Sequence, residues 1–192
     1  MPPLILASTS PYRRELLARF GLAFEVASPG VTEELLPGES PADRALRLGT
    51  AKARAVAERH PDALVIGSDQ VAATGLEILD KPGDAARCRA QLALLSGRTA
   101  HFYTSAVLLA ARPPTHLAHV DTTTVVFRSL TAQEIGRYVE RERPFDCAGG
   151  FRVEASGIAL FECIESQDPT ALIGLPLIWL AAALRGAGFP LP

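Results

Sequence analysis

Three short stretches collect residue types that could bind phosphate and activate water. The first is Ala7-Ser8-Thr9-Ser10-Pro11-Tyr12-Arg13-Arg14, where an apolar run gives way to a helix start. A helix N-terminus offers unpaired N–H groups and a partial positive charge, so it attracts anions. The hydroxyls of Ser8, Thr9 and Ser10 and the guanidinium groups of Arg13 and Arg14 add donors suited to phosphate oxygens. A plainer account also fits: Ser10 only caps the helix and the arginines face water. The second stretch is Gly67-Ser68-Asp69-Gln70, at the carboxyl end of an apolar strand, where α/β sheets place their ligands. An Asp there could bind a divalent metal, orient an attacking water, or simply shape a turn. The third set is Glu33-Glu34, Lys52 and Asp80-Lys81-Pro82. Carboxylates together with phosphates are the usual ligands of Mg²⁺, although each of these charges alone reads as surface.

The two lysines stand out. Lys52 and Lys81 are the only ones, against seventeen arginines. A coding bias toward arginine explains the excess. A position that keeps Lys under that bias is one where a compact ammonium serves better than a planar fork. Other chemistries lack their signatures: there is no G-x-x-x-x-G-K-[ST] loop, no G-x-G-x-x-G fingerprint and no G-x-S-x-G elbow. His116 and His119 lie three apart on an expected strand, so they face opposite sides and make no metal pair.

The elements that must position these residues are legible from caps, turns and periodicity. Leu4 to Ala7 reads as a buried strand, Ser10-Pro11 as the opening of a helix that runs to Phe20, and Phe24 to Val26 as a short strand. Ser40-Pro41 opens a longer helix ending near His60. Ala63 to Gly67 is a buried strand, and Thr74-Gly75 turns a hairpin between Val71-Ala72 and Leu76 to Leu79. Asp84 caps a helix ending at Ser96-Gly97, and Thr131-x-x-Glu134 is a capping box for another. Thr99 to Ala111 and His116 to Phe127 form a long antiparallel hairpin. Phe145 to Ser156 reads as loop, Ile158 to Cys163 as a strand, and Leu175 to Arg185 as the last helix. Interleaved strands and helices around one long hairpin give an α/β class with a mixed sheet, in one domain over residues 1–192.

Composition bounds the partners. A net charge of −2 argues against a protein that coats nucleic acid but not against a small phosphorylated ligand. Cys88, Cys147 and Cys163 are odd in number and widely spaced, so they are read as reduced and mostly buried, consistent with a cytosolic location. The N-terminus lacks the basic region of a signal peptide. The longest apolar run, Leu172 to Leu184, is too short for a membrane span and is broken by Gly174 and Pro176.

Taken in order, these pieces resemble the Maf family of nucleoside triphosphate pyrophosphatases over essentially the whole chain. The matching set is Leu4 to Pro11 with Arg13-Arg14, Glu33, Ala51-Lys52-Ala53, Gly67 to Gln70, Asp80-Lys81-Pro82, Ser96-Gly97, Cys147 to Phe151 and Ile173 to Leu177. Both lysines fall inside it. The resemblance implies a Maf/ITPase-like fold, with an elongated central sheet flanked by helices and two lobes around a cleft, often in a homodimer. It also implies hydrolysis of a nucleoside triphosphate to the monophosphate and pyrophosphate with a divalent cation, Mg²⁺ or Mn²⁺. On matching positions, Asp69 corresponds to the proton acceptor for the attacking water, and Glu33, with Asp69, to the metal carboxylates. Ser8, Arg13, Lys52 and Lys81 correspond to the triphosphate cradle, which Ser10 and Arg14 adjoin. Tyr12, Gln70 and Glu154 correspond to the base readers.

One branch of the family takes dTTP and UTP and typically has Arg, Thr and Gln at these three places, so this chain resembles the branch that hydrolyses 7-methyl-GTP. The chemistry agrees, because N7-methylguanine is cationic and an aromatic ring can stack on it with a cation–π contribution. Glu154 can accept from the guanine N–H edge. The methyl-GTP branch usually has Trp where this chain has Tyr12, a weaker cation–π partner, which implies looser selectivity. Two further readings remain open: a broad house-cleaning pyrophosphatase for modified nucleotides, and a slow nucleotide-sensing regulator of septation.

Overall fold

The computed structural model describes residues 1–75 and 77–192. Leu76, expected to open the second strand of a hairpin, lies outside the described residues. The chain order is β1 (Leu4–Ala7), α1 (Pro11–Ala18), β2 (Glu25–Val26), α2 (Pro41–Ala57), β3 (Leu64–Gly67), β4 (Gln70–Thr74) and β5 (Glu77–Leu79). It continues with α3 (Ala85–Leu95), β6 (Thr99–Ala110), β7 (Thr115–Phe127), α4 (Ala132–Glu142), β8 (Phe161–Glu165) and α5 (Leu177–Gly186).

The capping chemistry acts as the sequence requires. The Ser10 and Ser40 side chains accept from the N–H groups of Arg13 and Asp43, each with Pro at the first helical position. Thr131 and Glu134 close a reciprocal capping box on α4. The Thr131 hydrogen bonds, followed by Arg128, hold the Glu134 carboxyl down at about 2.

Among the described residues, eight strands join one sheet in the order β2-β1-β3-β6-β4-β5, with β7 on the other edge of β6 and β8 beyond β7. The first three run parallel and the rest are antiparallel, so the sheet is mixed. Its spine is the β6–β7 hairpin, paired from Thr99↔Val126 to Ala110↔Thr115. β3 and β4 lie end to end along the same antiparallel edge of β6: Val65 to Gly67 pair with Leu109 to Val107, and Gln70 to Ala73 with Thr104 to His101. Ser68 and Asp69 form the break between them.

That break divides two packing regions. On one side, alternation along β1 sends Leu4 and Leu6 to a core shared with Leu16 and Leu17 of α1 and Leu180 and Leu184 of α5. Ile5 and Ala7 point the other way, to Ala53 and Val56 of α2. On the other side, Leu92 and Leu95 of α3 and Ile135 and Val139 of α4 cover Ala72, Phe102 and Val125. Phe102, Phe127, Phe151 and Phe161 meet edge to face, with centroids 4.8–5.7 Å apart. The expected fold class is what the structure shows.

Three expectations need correction. β8 begins at Phe161 rather than Ile158, because residues 156–160 coil into a 3₁₀ turn at Gly157, where a Cβ would come within 2.2 Å of the Arg152 carbonyl. α1 ends at Ala18, followed by tightening i→i−3 bonds from Arg19 to Gly21 rather than a further helical turn. Cys163 is exposed, so only Cys88 is a fully buried thiol and Cys147 is partly buried. Among the described residues, no helix is long and apolar enough to cross a membrane.

Candidate active site

A hollow of about 510 Å³ opens at the break between β3 and β4. One strand has just ended there and the next is beginning, the kind of switch point at which α/β sheets place ligands. Two backbone contacts fix the break. The Asp69 N–H donates to Ser105 Oγ at 2.9 Å, and the Asp69 carbonyl accepts from the Ser105 N–H at 2.8 Å. Ser105 Oγ in turn donates to the Ala45 carbonyl of α2 at 2.7 Å, which ties the helix to the same point.

How α2 comes so close is decided by two glycines. A Cβ on Gly67 would lie 2.2 Å from the Gly49 carbonyl and 2.8 Å from the Ala53 nitrogen, and one on Gly49 would lie 2.3 Å from Ser105 Oγ. Helix and strand therefore touch backbone to backbone. Lys52, one turn beyond Gly49, thereby reaches over the end of β3. Its Nζ donates to Asp69 Oδ1 and to Glu33 Oε1, both at 2.5 Å. Lys52 and Asp69 are buried, whereas the Glu33 side chain is about half exposed at 52 %. A buried ion pair costs desolvation that its Coulomb attraction only partly returns, so such a triad is better explained by chemistry than by stability.

The electrostatics are those of a charged cluster sharing cations. Burial works to raise the Glu33 carboxyl, but the Lys52 hydrogen bond and the charges of Lys52, Lys81 and Arg13 outweigh it, holding the group below the usual carboxylate range. For Arg13 burial dominates and lowers the guanidinium, opposed by Asp69 and Glu33. Arg13 is aimed by its Nε–H, which donates to the Gly174 carbonyl at 2.9 Å; Ser68 Oγ donates to the same oxygen at 3.0 Å. Ser8 lies at the end of β1 with its Oγ accepting from the Ser10 N–H at 3.1 Å.

The hollow is lined by Ser8, Ser10, Tyr12, Arg13, Glu33, Lys52, Asp69, Gln70, Lys81 and Glu154, which brings together ten of the eleven residues singled out from sequence. Arg14 is the exception. It is exposed and does not line the hollow, because neighbours on a helix point about 100° apart and Arg13 takes the inward direction.

Gln70 is more constrained than a free base reader. Its amide Nε2 donates to Thr104 Oγ1 and to the Ala171 and Leu172 carbonyls at 3.0–3.1 Å. Thr104 Oγ1 spends its own proton on the Ala171 carbonyl, so it must accept from the amide. The Gln70 carbonyl oxygen is the part left to face a ligand. Tyr12 Oη lies 3.4 Å from Asp146 Oδ2 and 3.7 Å from Cys147 Sγ. Burial first, and then Asp146, push the Cys147 thiol up to about 11 against the lowering contact of Tyr12, so it is protonated at neutral pH.

Ser105, Asp146 and Phe102 carry no motif that marks them in advance, whereas Phe151 and Gly174 fall within the stretches that carry the family resemblance. The first three reach the site through pairing and loop packing rather than through local sequence.

Glu33 and Asp69 converge on one point, now taken by the Lys52 ammonium. Two hard carboxylate oxygens fit Mg²⁺ or Mn²⁺ when substrate phosphates complete the shell. Among the described residues, no group of three or more His, Cys, Asp or Glu could hold an ion unaided.

The comparisons with known proteins follow this geometry. A family model described as "Maf-like protein" matches residues 3–187. The 7-methyl-GTP pyrophosphatase of Xanthomonas oryzae pv. oryzae is 53% identical over 192 residues, the whole of both chains. The protein of that name from Aromatoleum aromaticum is 53% identical over 98% of this chain and 97% of its own. That from Ralstonia nicotianae is 50% identical over 99% and 98%. Among solved structures, the Ham1 protein of Staphylococcus aureus superposes with a TM-score of 0.56, covering 96% of this chain and 99% of its own at 13% identity, a likeness of fold alone. The chain belongs to the family of Maf-like proteins.

Proposed function

We propose that the chain is a metal-dependent nucleoside triphosphate pyrophosphatase that prefers 7-methyl-GTP. The observation that carries the reading is the pair of carboxylates, Glu33 and Asp69, held on one ammonium at the floor of a cleft lined by phosphate donors. The names of relatives about half identical over their full length support the substrate.

Phosphoryl chemistry needs charge neutralisation and a placed water more than a covalent nucleophile. Arg13, the α1 N-terminus with Ser8 and Ser10, and the two lysines supply positive charge and donors. A divalent cation, Mg²⁺ or Mn²⁺, would be held by Glu33 and Asp69 and would neutralise phosphate charge. Water adds to phosphorus, its proton passes to Asp69, the P–O bond of the anhydride breaks, and pyrophosphate leaves with the bonding pair. Lys52 holds the Asp69 carboxylate oriented for that proton.

At the other end of the cleft, Tyr12 offers a face for a cationic base. The Gln70 carbonyl oxygen and the Glu154 carboxylate are acceptors for the guanine N–H edge. Cytoplasmic location belongs to this reading, in keeping with three free cysteines, as does a homodimer, which the family resemblance implies. The net charge of −2 supports a nucleotide rather than a nucleic acid as the ligand.

The test is pyrophosphate release from 7-methyl-GTP, GTP, dTTP and UTP with Mg²⁺ or Mn²⁺, for wild type and Glu154→Gln. We expect preference for 7-methyl-GTP, reduced about tenfold in the variant, the equivalent of ~1.4 kcal/mol. Preference for dTTP or UTP would overturn the substrate and leave the reaction class standing.

A further inference from the structure

Behind the Glu33–Asp69–Lys81 wall lies a second, smaller hollow of about 270 Å³, which the cleft's own residues do not explain. It shares those three residues, with Gln70 and Ala148, with the main cleft and adds Arg44 from the first turn of α2. Arg44 Nε is screened from solvent and, among the described residues, has no hydrogen-bond partner. Among the described residues, no ion pair includes Arg44 or Lys81. The contrast with Arg47 on the same helix is plain, since its guanidinium is held by both oxygens of Glu39 at 2.5 and 2.6 Å.

Screened donors in folded proteins almost always have acceptors, and one without is accounted for when a ligand brings the acceptor. A guanidinium fork is shaped to take two oxygens of a phosphate, and an ammonium beside it adds a second point of charge. The hollow is below the range of about 300–1,000 Å³ common for drug-sized ligands, so it suits a small anion rather than a nucleoside. It also adjoins the main cleft through Asp69, Gln70 and Lys81, whereas Tyr12 and Glu154 line only the main cleft. The carboxylates on its wall do not forbid an anion, because Lys52 offsets one charge of the Glu33–Asp69 pair, Arg44 and Lys81 add two positive charges, and Asp80 is exposed.

We propose that this hollow is the subsite for the pyrophosphate end of the substrate, gripped by Arg44 and Lys81, so that Arg44 is a further substrate-binding residue. The inference rests on the pyrophosphatase reading and adds a direction to it. The base lies toward Tyr12 and Glu154, the phosphorus under attack at Asp69, and the leaving group toward Arg44.

The experiment is titration calorimetry with inorganic pyrophosphate, orthophosphate and 7-methyl-GMP, in Mg²⁺, on wild type, Arg44→Ala and Arg44→Lys, with thermal melts to confirm folding. The expected result is pyrophosphate affinity at least tenfold weaker in Arg44→Ala and partly restored in Arg44→Lys. Orthophosphate should bind wild type more weakly than pyrophosphate, and 7-methyl-GMP affinity should stay within twofold throughout. Three results would overturn the subsite: no pyrophosphate binding to wild type, equal pyrophosphate affinity in Arg44→Ala, or equal weakening of pyrophosphate and monophosphate. Binding is read without turnover. Arg44-dependent pyrophosphate binding in a chain that hydrolyses no triphosphate would therefore sink the activity and keep the anion site.

Discussion

Lys52 shows why one residue type was kept where arginine is otherwise the rule. A single Nζ serves Asp69 and Glu33 from one point, both at 2.5 Å, and a planar fork could not be buried there without displacing a carboxylate. The pH behaviour of Glu33 follows from the same contact. Its carboxyl is held below its ordinary value of about 4.3. A depressed carboxyl contributes stability that is complete above the unfolded value and lost as pH falls through the folded one. The acid limb of the rate profile due to Glu33 should therefore lie below pH ~4.3. Rates for wild type and Glu33→Gln between pH 3 and 8 check this. A wild-type limb near pH 6 that vanishes in Glu33→Gln would contradict the assignment. Ser8, Asp69 and both lysines were legible because strand ends, caps and an arginine-rich background are local signals. The engagement of the Gln70 amide was not, since its partners Ala171 and Leu172 lie a hundred residues away.

At the scale of elements, the site depends on α2 lying against β3 without side chains between them. Gly67→Ala sets a methyl within 2.8 Å of backbone on α2, which cannot yield as a flexible side chain would. Overpacking of this kind costs about 1–3 kcal/mol, and here it also lifts Lys52 from Asp69. We expect Gly67→Ala to melt lower and to lose at least tenfold in kcat, and Gly75→Ala, whose added Cβ would meet nothing within 4 Å, to leave kcat unchanged. Denaturant melts and steady-state rates measure both. Caps and period gave these helices their starts, and alternation gave the strands their faces. Neither shows which glycines permit a close approach, nor that residues 156–160 coil before β8. Those are decided by what packs opposite.

For the whole molecule, the β6–β7 hairpin is the member on which two packing regions are hung. β3 and β4 pair end to end along β6, and the break between them is where the cleft opens. Ser105 sits on β6 at that break and holds both Asp69 and α2, so the Asp69 carboxylate belongs to the junction of the two regions rather than to either. The order of motifs along the chain anticipated this architecture. The meeting of residues 13, 33, 52, 69 and 174 at one point is a property of the folded sheet. The most direct test of that junction as the hydrolytic centre is the rate of pyrophosphate release from 7-methyl-GTP by wild type and Asp69→Asn, matched for folding by circular dichroism. Loss of a proton acceptor typically removes about 10²–10⁴ in rate. The account predicts pyrophosphate from wild type and a fall of that size in the variant. Equal rates, or orthophosphate as the only product, would contradict it.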